Sequence, residues 1–299
     1  MGDKGKQAIV KMPFSWLAFT ALVIGIVLTA GCTGRDDADQ SLEIVKLRGY
    51  YVVGLDDAFP PMGFRKQADD KTVRYQINLE KKEVEEIVAT GELVGFDIDL
   101  AKKAAEKLGL KVIFKPMAWD GIIESLNAGD IDMIWNGLSI TPERKQRIIF
   151  SRPYLDNRQI IVVKSGSGIG GKADLKGKKV GLQLGSSSEA ALQTDRTIAP
   201  QIGEIKRYPD NQSAMGDLER GRIDAVIVDE VVGRYNIAKK PADFTILPDN
   251  FGNELYAIGF RKSSLSLRNA IDKVLDEMKQ DGSADTIAKK WFSEAIIKK

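Results

Sequence analysis

The chain has 299 residues, 44 of them basic and 42 acidic, with a single cysteine and no histidine. The missing histidine excludes Ser-His-Asp and Cys-His catalysis and any His-ligated metal, and one thiol makes neither a metal cluster nor an internal disulfide. Residues 1–31 hold three of the basic residues and one of the acidic ones, so 41 of each sign remain in the other 268, a neutral body with no electrostatic case for nucleic acid.

In chain order, Lys4, Lys6 and Lys11 come first, then the uncharged run FSWLAFTALVIGIVLTA, then Gly31 and Cys32. This is the layout of an export signal over 1–31, too short and too one-sided for a membrane span, and it stays outside the fold argument. The stretch LTAGC resembles a bacterial lipobox, with Thr29 where leucine is commoner. That resemblance implies cleavage before Cys32 and a lipid on its sulfur; an ordinary signal peptide or a retained anchor is the other reading. Residues 32–48 then read as a tether holding a soluble body on the extracytoplasmic side, in a periplasm or at a cell surface.

From residue 49 the pattern alternates: YYVVGL as a strand, DIDLAKKAAEKLGL as a helix, KVIFKPM as a strand, WDGIIESLNAGD as a helix, IDMIW as a strand. Alternation of this kind predicts a mostly parallel sheet with helices on its faces. In the helix from about Asp97, Ile98, Ala101, Ala105 and Leu108 recur at helical spacing and Gly109 supplies the stop. Residues 66–90 interrupt the series. Leu79, Val84, Ile87 and Val88 keep only loose helical spacing among many charges, so the expectation there is a solvated excursion with one short helix.

After IDMIW comes NGLSITPERKQRIIFSRPY. One reading is an ordinary helix start, with Thr141 as N-cap and Pro142 at the first position. The other is that Ser139, Thr141, backbone N–H groups and the Arg144 guanidinium converge on a small anion. A second alternating series follows: RQIIVVK, KKVGLQLG, EAALQTDRTI, SAMGDLERG and RIDAVIVD. LNAGDIDMIW and LERGRIDAVIV echo each other, and two similar α/β lobes are the simplest account. After DFTILPD and YAIGFRK, two helices over 265–279 and 283–291 are expected to pack back on the first lobe. The expected organisation is lobe 1 over 49–156, lobe 2 over 157–255 and a return over 256–299. Two crossings between lobes make a hinge, and a hinge makes a cleft.

GELVGFDIDLAKKAAEKLG, LNAGDIDMI, LSITPERKQRIIFSRPY, KGKKVGLQLGSS and GRIDAVIVDE together resemble the bacterial extracellular solute-binding proteins of family 3, the amino-acid receptors of ABC importers, in the family's order and spacing. The resemblance implies a type II periplasmic-binding fold and a site for a zwitterion, whose two charges need replacements for lost water. It gives the ligand carboxylate to Arg144, Ser139 and Thr141 with the backbone after Gly137. It gives the ammonium to Asp229, at a strand end that would face the cleft; helix capping is that residue's other reading. Ser186 and Ser187 match family threonines that touch the ligand, or else cap a helix. Phe59 and Trp119 match the aromatic walls, or else are core. Asn136 is placed to meet a polar side chain, and Asp56 and Asp97 match positions that read cationic side chains in some relatives.

The function implied is capture of a polar L-amino acid, cationic or glutamine-like, for delivery to a membrane permease, by a monomer with no cofactor, metal or catalytic residue. Two alternatives use the same fold: a periplasmic dehydratase acting on prephenate or arogenate, and a sensory ligand-binding domain.

Overall fold

The computed structural model of the chain describes residues 39–66, 71–78, 83–292 and 297. The export segment, Cys32 and the start of the tether lie outside the described residues. Among those described, no helix is long and apolar enough to cross a membrane.

Two five-stranded sheets organise the molecule. The first runs in the order Lys111–Pro116, Tyr50–Leu55, Met133–Ile134, Gly259–Phe260, Ile149–Phe150. Its first three strands are parallel, and Gly259–Phe260 is antiparallel to both neighbours. The second runs Glu204–Tyr208, Lys179–Gln183, Ala225–Asp229, Leu155–Lys164, Phe244–Tyr256, again three parallel strands followed by antiparallel ones. Each parallel run is fed by the predicted alternation. Helix Phe96–Leu108 buries Ile98, Ala101 and Ala105 and ends at Gly109 in the left-handed region.

The chain leaves the first sheet after Phe150, enters the second at Leu155, and returns from Tyr256 to Gly259. Leu155 pairs with Tyr256, so the two crossings lie side by side. Ile140 N–H donates to Leu255 O and Ala257 N–H to Leu138 O, which binds the return crossing to the polar segment after Ile134. Helices Leu265–Gln280 and Ser283–Phe292 bury Leu267, Ile271, Leu275, Met278 and Ala288 in one core with Tyr51, Val53 and Phe96.

Two sequence expectations are overturned. Residues 41–48, expected as part of the tether, form the helix Ser41–Arg48, which buries Val45 in the core and bonds to Ser266. Instead of a short helix, the interruption forms an antiparallel ribbon, Lys71–Asn78 against Glu83–Thr90, in register from Lys71 opposite Thr90 to Asn78 opposite Glu83. In the sequence, Val73, Tyr75 and Ile77 alternate with Arg74 and Gln76, and period two with β-branched residues is a strand signal that outweighs loose helical spacing.

Candidate functional site

The polar segment after Met133–Ile134 turns at Gly137, whose φ of +56° is costly for other residues. A Cβ there would stand 2.7 Å from Phe59 Cε1 and 3.1 Å from Tyr256 Cε2, so glycine is required by space as well. Asp97 fixes this turn from behind. Its Oδ2 accepts from Gly137 N–H at 2.7 Å and from the Tyr154 hydroxyl at 2.9 Å. Burial pushes the Asp97 carboxyl up to about 7.

Beyond the turn, Thr141 caps helix Pro142–Arg147 by accepting from Arg144 N–H at 3.1 Å. The cap consumes one of the free N–H groups expected for an anion, and the helix is only six residues long. The Arg144 side chain is buried, 7% exposed. It donates to Ser139 O at 2.9 Å and, across the lobes, to Gly185 O at 3.2 Å, with its guanidinium 5.6 Å over the Trp119 ring. Among the described residues no carboxylate lies within ion-pair distance of it. Burial lowers its pKa from the ordinary value while Glu254 and Asp229 pull the other way.

Asp229 ends the apolar strand Ala225–Asp229 and precedes helix Glu230–Lys239, yet its side chain does not cap that helix. Asn157 Nδ2 at 2.6 Å, Gln159 Nε2 at 2.8 Å and the Tyr256 hydroxyl at 2.7 Å all donate to Oδ1. No described residue donates to Oδ2. Burial first, and the neighbouring Glu254 second, push the Asp229 carboxyl up to about 6. Ser188 donates to Gln159 Oε1, which turns the amide so that its Nε2 faces the acids.

Ser187 donates to Ser139 Oγ at 3.1 Å and accepts from Gln159 at the same distance, a second contact across the lobes. Ser186 is taken up by capping: it accepts from Glu189 N–H at 3.2 Å and donates to Gln183 O at 2.7 Å. Asp56 supplies the third crossing, accepting from Gln183 Nε2 at 2.8 Å while its Oδ1 accepts from Ala58 N–H. Its burial raises the carboxyl to about 6. Asn136 accepts from Asp56 N–H at 3.1 Å, and its own buried Nδ2 has no partner among the described residues.

A cavity of about 280 Å³ opens between the lobes, lined by Trp119, Thr141, Arg144, Gly185, Ser186 and Ser187 among others. Asp56, Phe59, Asp97, Asn136, Gly137, Ser139 and Asp229 do not line it and are buried. Among the described residues no group of three or more His, Cys, Asp or Glu side chains is arranged to hold a metal.

Sequence reasoning missed Glu254, Asn157, Gln159, Tyr256 and Gln183. A signal existed for Gln159, which precedes IIVV in an apolar strand and is fully buried; a buried amide must find partners. None existed for Glu254. Pro248, Asn250 and Gly252 break the strand pattern, but Phe244–Tyr256 runs through them as an edge strand with shifts in register, where proline is tolerated.

The model of the bacterial extracellular solute-binding proteins, family 3, matches residues 80–294. The L-cystine-binding protein TcyJ of Escherichia coli (strain K12) is 32% identical over 92% of this chain and 95% of its own length. A solved ABC uptake transporter substrate-binding protein from Streptococcus pneumoniae with bound histidine is 31% identical, with TM-score 0.76 over 87% of this chain and 99% of that one. An ancestral arginine-binding protein bound to arginine is 42% identical, with TM-score 0.69 over 82% and 99%.

Proposed function

The chain belongs to the bacterial extracellular solute-binding proteins of family 3, and we propose that it is the substrate-binding component of an ABC importer that captures a polar L-amino acid, cationic or glutamine-like, between its lobes and hands it to a membrane permease. The observation that carries this reading is Arg144: a buried guanidinium facing an interlobe cavity with two carbonyls and no carboxylate as partners among the described residues. A buried cation without an anion is costly, and a planar carboxylate matches its fork.

In this reading the ligand carboxylate pairs with Arg144 and takes the Thr141 hydroxyl, whose proton is uncommitted, with Ser139 and Ser187 beside it. The ligand ammonium takes the unused Oδ2 of Asp229. Trp119 and Phe59 wall the side chain, Asp56 and Asn136 meet its far end, and Ser186 shapes the rim. Asp97 acts through the Gly137 turn it holds. Closure makes the contacts between lobes, and the permease distinguishes closed from open. The relatives are named for what they bind, which supports capture and release without turnover. A lipid on Cys32 would keep the monomer at the membrane.

The test is a thermal-shift screen of the mature chain with the twenty amino acids and L-cystine, followed by calorimetry on the best ligand. Arg144→Met is expected to lose at least about 30-fold in affinity, from leaving a desolvated carboxylate unpaired. Wild-type affinity in that variant would remove the assignment, and turnover of prephenate or arogenate would move the chain among the enzymes.

A further inference from the structure

Glu254 stands on the return crossing, in no motif of the sequence. Its Oε2 accepts from Ser139 Oγ, from Gln159 Nε2 at 2.9 Å and from Asn157 Nδ2 at 3.3 Å. Two of these donors are the ones that hold Asp229: Gln159 Nε2 is 2.8 Å from Asp229 Oδ1. The two acids are therefore clipped together by the same pair of amides. On each, every donor converges on one oxygen, so that Asp229 Oδ2 and Glu254 Oε1 have no donor among the described residues. Neither acid has a cation within ion-pair distance. Arg144, whose charge acts on both, spends its fork on carbonyls.

Two adjacent carboxylates in a closing cleft repel each other, and amide donors shared between them offset only part of that cost. Structural acids in proteins are ordinarily paired with a lysine or arginine, as Asp217 is here with Lys206 and Arg222. A pair with two free oxygens and no cation is the arrangement that a positively charged nitrogen completes.

We propose that Glu254 is a ligand-contacting specificity residue: beside Asp229 it forms a two-carboxylate seat for positively charged nitrogen, and its extra charge biases the site toward ligands with net positive charge. This rests on the reading of the cleft as an amino-acid site and deepens it. A zwitterion of zero net charge leaves the Arg144, Asp229 and Glu254 set one unit negative, whereas a net-cationic amino acid brings it to neutrality.

The experiment is calorimetry with L-arginine and L-glutamine on the mature chain, on Glu254→Gln and on Glu254→Asp, with Asp229→Asn as control. Each variant is first checked by circular dichroism and melting. The wild type is expected to bind L-arginine more tightly than L-glutamine, and Glu254→Gln to lose at least about tenfold in affinity for L-arginine while changing much less for L-glutamine. Glu254→Asp keeps the charge and should keep most of the preference. A second readout is the acidic limb of binding. Asp229 is faced by Glu254, Arg144 and the Tyr256 hydroxyl, so removing the Glu254 charge should carry that limb to lower pH. Equal losses for both ligands in Glu254→Gln would reduce Glu254 to a strut for Ser139, and unchanged affinities would remove it from the site; either overturns the proposal. If Asp229→Asn abolishes binding while Glu254→Gln does not alter the preference, only this inference fails. If no amino acid binds the wild type, the parent reading falls and this one with it.

Discussion

Replacing Asp229 by asparagine keeps the side chain's shape and removes its charge, and the structure gives the two consequences opposite signs. Asparagine Oδ1 can still accept from Asn157, Gln159 and the Tyr256 hydroxyl, which all use one oxygen. The new Nδ2 falls where Oδ2 lacks a donor. In the native protein burial and Glu254 hold this carboxyl up at about 6 against an ordinary 3.8. A carboxyl raised on folding binds its proton more tightly in the folded state, so the ionised form costs stability. That cost is complete above about pH 6 and vanishes below about pH 4. At about 1.4 kcal/mol per pKa unit it amounts to roughly 3 kcal/mol. The ligand-free variant should therefore melt higher than wild type at pH 7.5, by up to about 6–12 °C for a chain of this size, and the advantage should disappear near pH 4. Binding goes the other way: the ammonium would meet an amide N–H instead of a carboxylate, a loss of about 2–5 kcal/mol, or roughly 30-fold to several thousandfold. Differential scanning fluorimetry and calorimetry read the two effects separately. A variant that melts lower without ligand and binds as wild type would refute both the pairing and the burial argument.

Three further outcomes follow from particular contacts. Ligand affinity should fall as pH is lowered through about 6, because Asp229 must give up a proton to receive an ammonium; calorimetry between pH 8 and 5 would show a flat profile if it played no part. Gly137→Ala places a Cβ 2.7 Å from Phe59 Cε1 in the left-handed region, which should destabilise by roughly 2–4 kcal/mol and lower the melting temperature with or without ligand. Asp97→Asn keeps an acceptor for Gly137 and Tyr154 and discards a buried charge whose pKa is raised to about 7. Its melting temperature relative to wild type should be higher at pH 8 than at pH 4, and a loss of affinity greater than that of Asp229→Asn would mark Asp97 as a ligand contact instead of a support.

The parts of the architecture legible in the sequence were those written as regular periodicity. Ile98, Ala101 and Ala105 announced their helix, IDMIW and AVIVD their strands, and the echo between LNAGDIDMIW and LERGRIDAVIV the two sheets. Asp229 could be singled out because it ends the apolar strand Ala225–Asp229, and Arg144 because it lies in the short helix Pro142–Arg147 that closes the polar segment after Met133–Ile134; the structure buries both. The residues that hold Asp229 were not legible, since they lie on the two crossings, far apart in sequence and brought together only by the pairing of Leu155 with Tyr256. The ribbon over 71–90 was misread because four apolar residues were matched to a helix while the alternation around Tyr75 went uncounted.

The same crossings explain why closure and capture belong together in the proposed mechanism. Without a ligand, the closed arrangement buries Arg144 with no anion in ion-pair contact and sets Asp229 beside Glu254 with no cation in ion-pair contact among the described residues. Its contacts between lobes include the hydrogen bonds Gln183 to Asp56, Ser187 to Ser139, Ser139 to Glu254 and Arg144 to Gly185 O, worth about 1 kcal/mol each, and the edge contact of the Phe64 and Tyr235 rings. They do not offset unpaired buried charge. Opening returns the Arg144 guanidinium to water, so the empty chain favours the open form, while Asp229 keeps its donors Asn157, Gln159 and Tyr256 on its own lobe and the crossings. A zwitterion supplies one carboxylate and one ammonium to the unmatched groups only when both lobes surround it, and this difference in affinity between the two forms is what shifts their populations.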